Sequence, residues 1–242
     1  VWDAFVSKSV HRRRGQLYLT AAGPGGYKSV LALNEALKMG VPTLYVAMDS
    51  DANSTAIRSV QAIELVDQDS AEAGVLNQER WAMDALAAVP YLSFTFPASP
   101  TIEELIHHVF AYAEAQGDFP HWIVIDNLMD VSYTEDENRG LNRIMEDLAQ
   151  LAKQTKAGVH VLAHVTGEYE VGDLVVPMSG LRHKVSKKPV QVLTLCRGAL
   201  EGQLWVSVVK NRTGPVDPTG LRVRAELTVD GGTMQIFDPR KS

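Results

Sequence analysis

The sequence predicts an α/β fold: a mostly parallel twisted sheet flanked by helices on both faces, with antiparallel strands at its C-terminal end. Three observations carry that expectation. Short β-rich runs alternate with helix-period runs from residue 16 to residue 164. Those β-rich runs are almost continuously apolar, the mark of strands buried on both faces. Beyond residue 190 come four further β-rich stretches, separated by the turn signals RTGPVDPTG and DGG.

Taken in order, QLYLTAA (16–22) is a short apolar strand. A glycine turn follows, then a helix-period run with Val30, Leu31, Leu33, Leu37 and Met39, which Gly40 is placed to end. PTLYVAM (42–48) is a second buried strand, and two helices are expected near 53–66 and 77–88, the latter closed by Pro90. YLSFTF (91–96) is a third strand. Thr101 and Glu104 then make a capping box for a helix whose apolar face is Ile102, Leu105, Ile106, Val109 and Phe110. HWIVIDN (121–127) is a β-rich run ending in a carboxylate, and a long amphipathic helix follows with Leu141, Ile144, Met145, Leu148 and Leu151 on one side. GVHVLAH (158–164) is another buried strand; VQVLTL (190–195), QLWVSVVK (203–210), LRVRAELTV (221–229) and TMQIFD (233–238) close the chain.

With 242 residues and 45% hydrophobic content, the chain can bury one sizeable core, and a single domain over 1–242 is expected. No apolar run approaches the roughly 20 residues that cross a bilayer, and the N-terminus lacks a secretory layout, so a cytoplasmic, non-membrane protein is expected. The single cysteine, Cys196, rules out an internal disulfide framework and a cysteine-based zinc site. His107 and His108 are adjacent and no H-E-x-x-H occurs, which argues against zinc catalysis; the lack of a G-x-S-x-G elbow argues against a serine hydrolase. A net charge of −6 does not advertise a nucleic-acid binder, so any such role needs a local basic surface, for which HRRRG (11–15), RHKVSKK (182–188) and the pair Lys210 and Arg212 are the candidates.

The chemistry concentrates at AAGPGGYKSV (21–30), one short step from the phosphate-loop pattern G-x-x-x-x-G-K-[ST]. Lys28 and Ser29 stand in register, with Ala22 at the first glycine position and Tyr27 at the last. Strand, glycine turn and helix in this order make an anion site, because the helix start offers free N–H groups and a positive dipole end. Asp126, ending the strand WIVID, is the acidic strand end expected beside a Mg²⁺ held near Ser29.

With these residues in hand, the chain resembles the ATPase domain of RecA-fold replicative helicases, the DnaB-like family including its phage members. The resemblance runs over roughly 13–216, leaving a C-terminal β extension at about 217–240, and it implies a RecA-like P-loop NTPase core. It implies ATP and Mg²⁺ as cofactors, with Gly23, Pro24, Gly25, Gly26, Tyr27, Lys28 and Ser29 forming the nucleotide cradle and Ser29 and Asp126 the metal side. Tyr27 departs from the family, which carries glycine there. TLYVAMDSD resembles the strand whose terminal acid polarises the attacking water, so Asp49 inherits the general-base role with Asp51 as the fallback. VLAHV resembles the strand end that senses the γ-phosphate, giving that role to His164, and VVKNRTGP resembles the lysine-x-arginine element that reaches into a neighbour's site, making Lys210 and Arg212 trans-acting fingers. That last likeness implies a homo-oligomer, commonly a six-membered ring.

The same resemblance implies action on single-stranded or branched DNA in phage replication or recombination. In the family the loops after the third and fourth core strands line the DNA channel; here they are NLMDVSYTEDENRG (127–140) and VTGEYEVGDLVVP (165–177), both acidic. Arg139, Arg143, Arg182, Lys184, Lys187 and Lys188 are the cations left to supply a positive strip, and Tyr133 or Tyr169 could stack on a base. Two other readings compete. Asp49, Asp51, Asp126 and Asp130 could converge to hold two Mg²⁺ ions in a structure-selective DNA nuclease. Alternatively, Tyr27 silences hydrolysis and leaves a RecA-like assembly or loading factor.

Overall fold

The computed structural model describes residues 2–239, the side chains of 182–184 excepted. One nine-stranded sheet organises the chain, in the order β3-β2-β4-β5-β1-β6-β7-β8-β9. The strands are β1 (Leu17–Ala22), β2 (Thr43–Ala47), β3 (Leu92–Thr95), β4 (Trp122–Asp126), β5 (Gly158–His164), β6 (Gln191–Arg197), β7 (Gln203–Asn211), β8 (Arg224–Asp230) and β9 (Gln235–Phe237). The pairs from β3 across to β6 are parallel; β6 with β7, β7 with β8 and β8 with β9 are antiparallel. Apart from short 3-10 turns, the helices are α1 (Asp3–Val6), α2 (Lys28–Met39), α3 (Ala52–Glu64), α4 (Gln68–Leu76), α5 (Arg80–Ala87), α6 (Ile102–Gln116) and α7 (Glu137–Thr155). Among the described residues no helix is long and apolar enough to cross a membrane.

Two-sided burial explains the continuous apolar strands. Along β1, Leu17, Leu19 and Ala21 pack with the apolar stripes of α6 and α7, while Tyr18 and Ala22 face the opposite layer with α2. The stripe of α7, Leu141, Ile144, Met145, Leu148 and Leu151, is fully buried, as its helical spacing requires. The expected capping box at Thr101 and Glu104 forms at the start of α6. One segment departs from expectation. Between β2 and β3 three helices stand where two are expected, because Asp67 caps a separate helix, α4, that packs Ala71 and Val75 into a small cluster with Val60 and Ala82. A short amphipathic stretch of this kind has too few turns to register as a period.

Beneath α2 lies a buried polar network that the sequence leaves unmarked. Arg12, within HRRRG, is not a solvated cation: Nε and Nη2 donate to the two Glu35 carboxylate oxygens at 2.6 and 3.2 Å, and its guanidinium lies 4.8 Å from the Tyr18 ring centre. His160 Nδ1 sits 3.1 Å from Glu35 Oε2, and its Nε2 meets Thr20 Oγ1 at 2.8 Å. Burial would raise the Glu35 carboxyl, but Arg12 and His160 more than offset it and hold it at about 2. Burial, reinforced by Arg12, keeps the His160 imidazole below its ordinary value. Both groups therefore stabilise the fold at neutral pH and lose that contribution on acidification. His160 stabilisation fades below about pH 6.5, where the unfolded chain takes up its proton, and that of Glu35 as pH falls from about 4.5 towards 2. Urea unfolding is expected to report this as a falling midpoint between pH 7 and 4. Arg12→Met, which leaves the buried carboxylate without its partner, is expected to cost about 3–5 kcal/mol at pH 7.

Candidate active site

The chain leaves β1 at Ala22, turns through Gly23 to Gly26 and enters α2 at Lys28. Two of the glycines have specific reasons. A Cβ on Gly23 would stand 2.5 Å from the Glu170 carbonyl oxygen, because the 3-10 turn Gly167–Val171 lies directly against the loop. Gly25 has φ +65°, a left-handed conformation that costs glycine little. Tyr27, where the pattern wants glycine, also adopts φ 62° and is the N-cap of α2, with no side-chain cap on the helix. The first N–H groups of α2 therefore remain free for an anion. The Tyr27 ring packs against the layer containing β8 and β9, with its hydroxyl 3.8 Å from the Cβ position of Gly231. Because left-handed backbone penalises β-branched side chains most, Tyr27→Val is expected to lower stability relative to Tyr27→Gly by about 1–2 kcal/mol in thermal unfolding, although valine keeps more apolar surface.

The loop opens onto a cavity of about 320 Å³. Lys28, Ser29, Asp49 and Asp126 line it together, so residues from three parallel strand ends meet there. Lys28 is buried to 7% exposure, an unusual position for an ammonium group. Asp126, 3% exposed, accepts a hydrogen bond from Tyr45 Oη at 2.8 Å through Oδ2, while its Oδ1 is buried without a hydrogen-bond partner. Burial raises its pKa, against the pull of the Ser29 and Tyr45 hydroxyls, while nearby Asp49 adds to the rise. An orphaned carboxylate oxygen beside a serine hydroxyl is the donor set a hydrated Mg²⁺ would satisfy, so the residues fit that ion.

Asp130 and His164 join the same electrostatic group. His164 pairs in register with Ala22 across β5 and β1, next to the loop. Burial and then Lys28 hold its imidazole below the ordinary value, against the opposite pull of Asp130, Asp49 and Glu170, and its Nδ1 is buried without a partner. Asp130 is raised by burial and by Asp49. Asp51, the fallback base, is spent elsewhere: it caps α3, accepting from Ser54 N at 3.0 Å and Ser54 Oγ at 2.7 Å. Among the described residues no three His, Cys, Asp or Glu side chains form a group that could hold a metal, which corrects the expectation of a convergent four-aspartate nuclease centre.

Lys210 and Arg212 are not among the residues that line this cavity. Lys210 pairs with Val192, itself level with Leu19 near the start of β1, and Arg212 N donates to Val190 O. They therefore sit towards the end of the sheet opposite the Gly23–Gly26 turn. Lys210 Nζ donates to Ser186 O and, at 2.8 Å, to Lys187 O, and burial with help from Arg212 lowers its pKa to about 8. Of the cations considered for DNA, Arg139 pairs with Asp136 at 3.2 Å, Arg143 with Glu135 at 2.9 Å and Lys188 with Glu146 at 2.7 Å, while Lys187 is exposed. The Arg182 and Lys184 side chains lie outside the described residues. The Tyr133 ring lies against Gly140 and the Tyr169 ring against Gly180.

Several cavity residues escape sequence reasoning. Arg58 lines the cavity with Thr55 on α3; their spacing of three shares one helix face, a cue too common to notice. Tyr45 hides inside an apolar strand, and Met234 arrives from a turn more than 200 residues after the phosphate loop.

The comparisons agree with this geometry. The DnaB-like helicase C-terminal domain family matches residues 10–229. The chain is 40% identical to the Gene 65 protein of Mycobacterium phage L5 over 98% of its own length and 91% of that protein, and 38% identical to the Gene 65 protein of Mycobacterium phage D29 over 92% and 99%. Its fold is similar to the ATPase domain of G40P, with TM-score 0.81 and 14% identity over 98% of this chain and 90% of that one. It is also similar to a DnaB-like replicative helicase whose structure was described together with its interactions with primase (TM-score 0.80, 14% identity, 99% of this chain, 61% of that one), and to the RadB recombinase (0.67, 16%, 98% and 97%). A RecA-like fold and a match across nearly its whole length place one conclusion beyond the geometry alone: the chain belongs to the DnaB-like helicase C-terminal domain family.

Proposed function

We propose that this chain hydrolyses ATP at the subunit interfaces of a ring and uses the energy to act on single-stranded or branched DNA in phage replication or recombination. The observation that carries the reading is a buried Lys28 sharing one cavity with an orphaned Asp126 oxygen at the uncapped start of α2. Gly23 to Ser29 cradle the triphosphate through main-chain N–H groups, and Lys28 neutralises the β- and γ-phosphates. Ser29 and Asp126 would hold Mg²⁺, which when bound draws charge from the phosphate oxygens. Asp49 orients the attacking water and accepts its proton, and His164, neutral beside Lys28, reads the presence of the γ-phosphate. Arg212, with Lys210, supplies cationic charge to the neighbouring subunit's site. DNA contact through Arg139, Arg143 and Lys188 exchanges existing ion pairs for phosphates, while Lys187 is exposed. The test is Mg²⁺-dependent phosphate release from ATP with and without single-stranded DNA. Turnover that rises with DNA is the expected result; nucleotide binding with no turnover under either condition would leave a silent assembly factor instead.

A further inference from the structure

Where the parallel strands begin, the chain gathers cations that no carboxylate neutralises. The starts of β1, β4 and β5 lie side by side, with Leu17 level with Val159 and Trp122 level with Gly158. Arg14 Nε donates to Lys156 O at 2.9 Å, and Arg13 O stands 3.3 Å from the Cβ position of Gly158. Lys156 is the C-cap of α7, and Lys153 lies in its last turn. Arg13, Arg14, Lys153 and Lys156 are all exposed, and among the described residues none of them forms an ion pair. The segments 11–16, 117–121 and 156–157, which meet at this end of the sheet, hold a single carboxylate, Asp118. The nucleotide cavity, at the other end, carries Asp49 and Asp126. A chain of net charge −6 thus presents a positive end away from that cavity.

The cluster is anchored from below. Buried Tyr18 accepts from Arg13 N and donates to Arg13 O at 3.1 Å, and the Arg12 guanidinium lies over its ring. The end of α7 attracts cations on its own account, because its last carbonyls form the negative pole of the helix dipole. Arg14 answers that need at Lys156 O, whereas among the described residues the side chains of Arg13, Lys153 and Lys156 make no bond. Their charge is therefore available without breaking a pair, unlike that of Arg139, Arg143 and Lys188. Cations in this setting suit phosphates, and those of a duplex in particular. Grips on single strands combine positive charge with rings that stack on unpaired bases. The rings beneath this row, Tyr18 and Trp122, are buried and offer no face to a base. A duplex turns its bases inward and carries one phosphate charge per about 1.7 Å of axis, which cations alone can hold.

We propose that Arg13, Arg14, Lys153 and Lys156 form a docking surface for the phosphate backbone of duplex DNA, apart from the nucleotide cavity and from the acidic loops after β4 and β5. The proposal rests on the reading that the chain acts on DNA, and it gives the paired arm of a branched substrate a place to bind. The test is fluorescence anisotropy with a labelled blunt duplex and a labelled oligo-dT of equal phosphate number, with and without a non-hydrolysable ATP analogue, at about 50 to 200 mM salt. The double variant Arg13→Gln, Lys153→Gln is expected to weaken duplex binding about tenfold. It is also expected to flatten the slope of log affinity against log salt by about 2, since each phosphate contact contributes about 0.9. Its single-strand affinity stays within about twofold. Lys153→Gln with Lys156→Asn is expected to do the same, because asparagine tolerates the φ of 57° at that cap. A lowered thermal midpoint with unchanged duplex affinity would assign these cations to capping α7 and overturn the proposal. An equal loss on both DNAs, or an unaltered protein that binds only the single strand, would overturn it as well. Failure of the unaltered protein to bind either DNA overturns this surface and the DNA reading together, while the ATPase reading keeps its own test.

Discussion

Lys28→Ala is expected to reduce ATP hydrolysis at least about 10³-fold, a larger effect than any other single substitution at the cradle. The side chain is nearly buried, so its charge acts at low effective dielectric, and among the described residues no other lysine lines the cavity. Its influence extends to three neighbours: it pulls down the pKa of Asp126, Asp130 and His164. The variant would therefore lose the proposed phosphate contact and also shift the Asp126 carboxylate and the His164 imidazole towards their protonated forms. Steady-state phosphate release checks the rate, and circular dichroism confirms that the fold survives. Turnover within tenfold of the unaltered protein would sink the phosphate-loop assignment.

Arg212→Ala is expected to leave nucleotide binding intact and to lower turnover about 10³- to 10⁵-fold. Binding is expected to persist because Arg212 does not line the cavity and its main-chain N–H donates to Val190 O, beside Leu17 at the start of β1. Mixing tests the assignment further. Arg212→Ala chains keep an intact loop and Lys28→Ala chains keep an intact arginine, so a mixture is expected to recover part of the lost activity at sites combining one of each. A mixture that stays inactive at every ratio would show that Arg212 acts on no neighbour. Lys210 carries a condition that Arg212 does not: its ammonium already holds the Ser186 and Lys187 carbonyls and must release them before it can reach a phosphate.

The sheet was legible because its strands are apolar without interruption, and only helices on both faces make that tolerable. The loop was legible because Lys28 and Ser29 stand between a strand and a helix, where their chemistry needs that context. Other features were silent for identifiable reasons. Arg12 reads as one of three adjacent arginines, and only the tertiary fold brings Glu35 under its guanidinium. Asp49 and Asp51 are two residues apart in a polar turn, and what separates a cavity carboxylate from a helix cap is whether Ser54 N–H lies within reach. Arg139 and Arg143 count as free cations in a sequence, yet the acidic residues beside them fold into ion pairs. Met234 belongs to a turn whose position depends on Asn34 and Gln61, two amides with no motif to announce them.

In the proposed ring, the separation of Arg212 from its own glycine loop would govern symmetry as well as rate. Two chains related by a twofold axis present identical patches to each other, whereas an arginine from one sheet end and a loop from the other must join unlike patches. Such contacts have a direction. Repeated, they either close after a fixed number of rotations or wind into an open spiral. A closed assembly completes every site, but an open one always has a seam, where one loop faces solvent and one arginine faces nothing. A gap wide enough to admit a DNA strand would therefore silence one site until the seam closes.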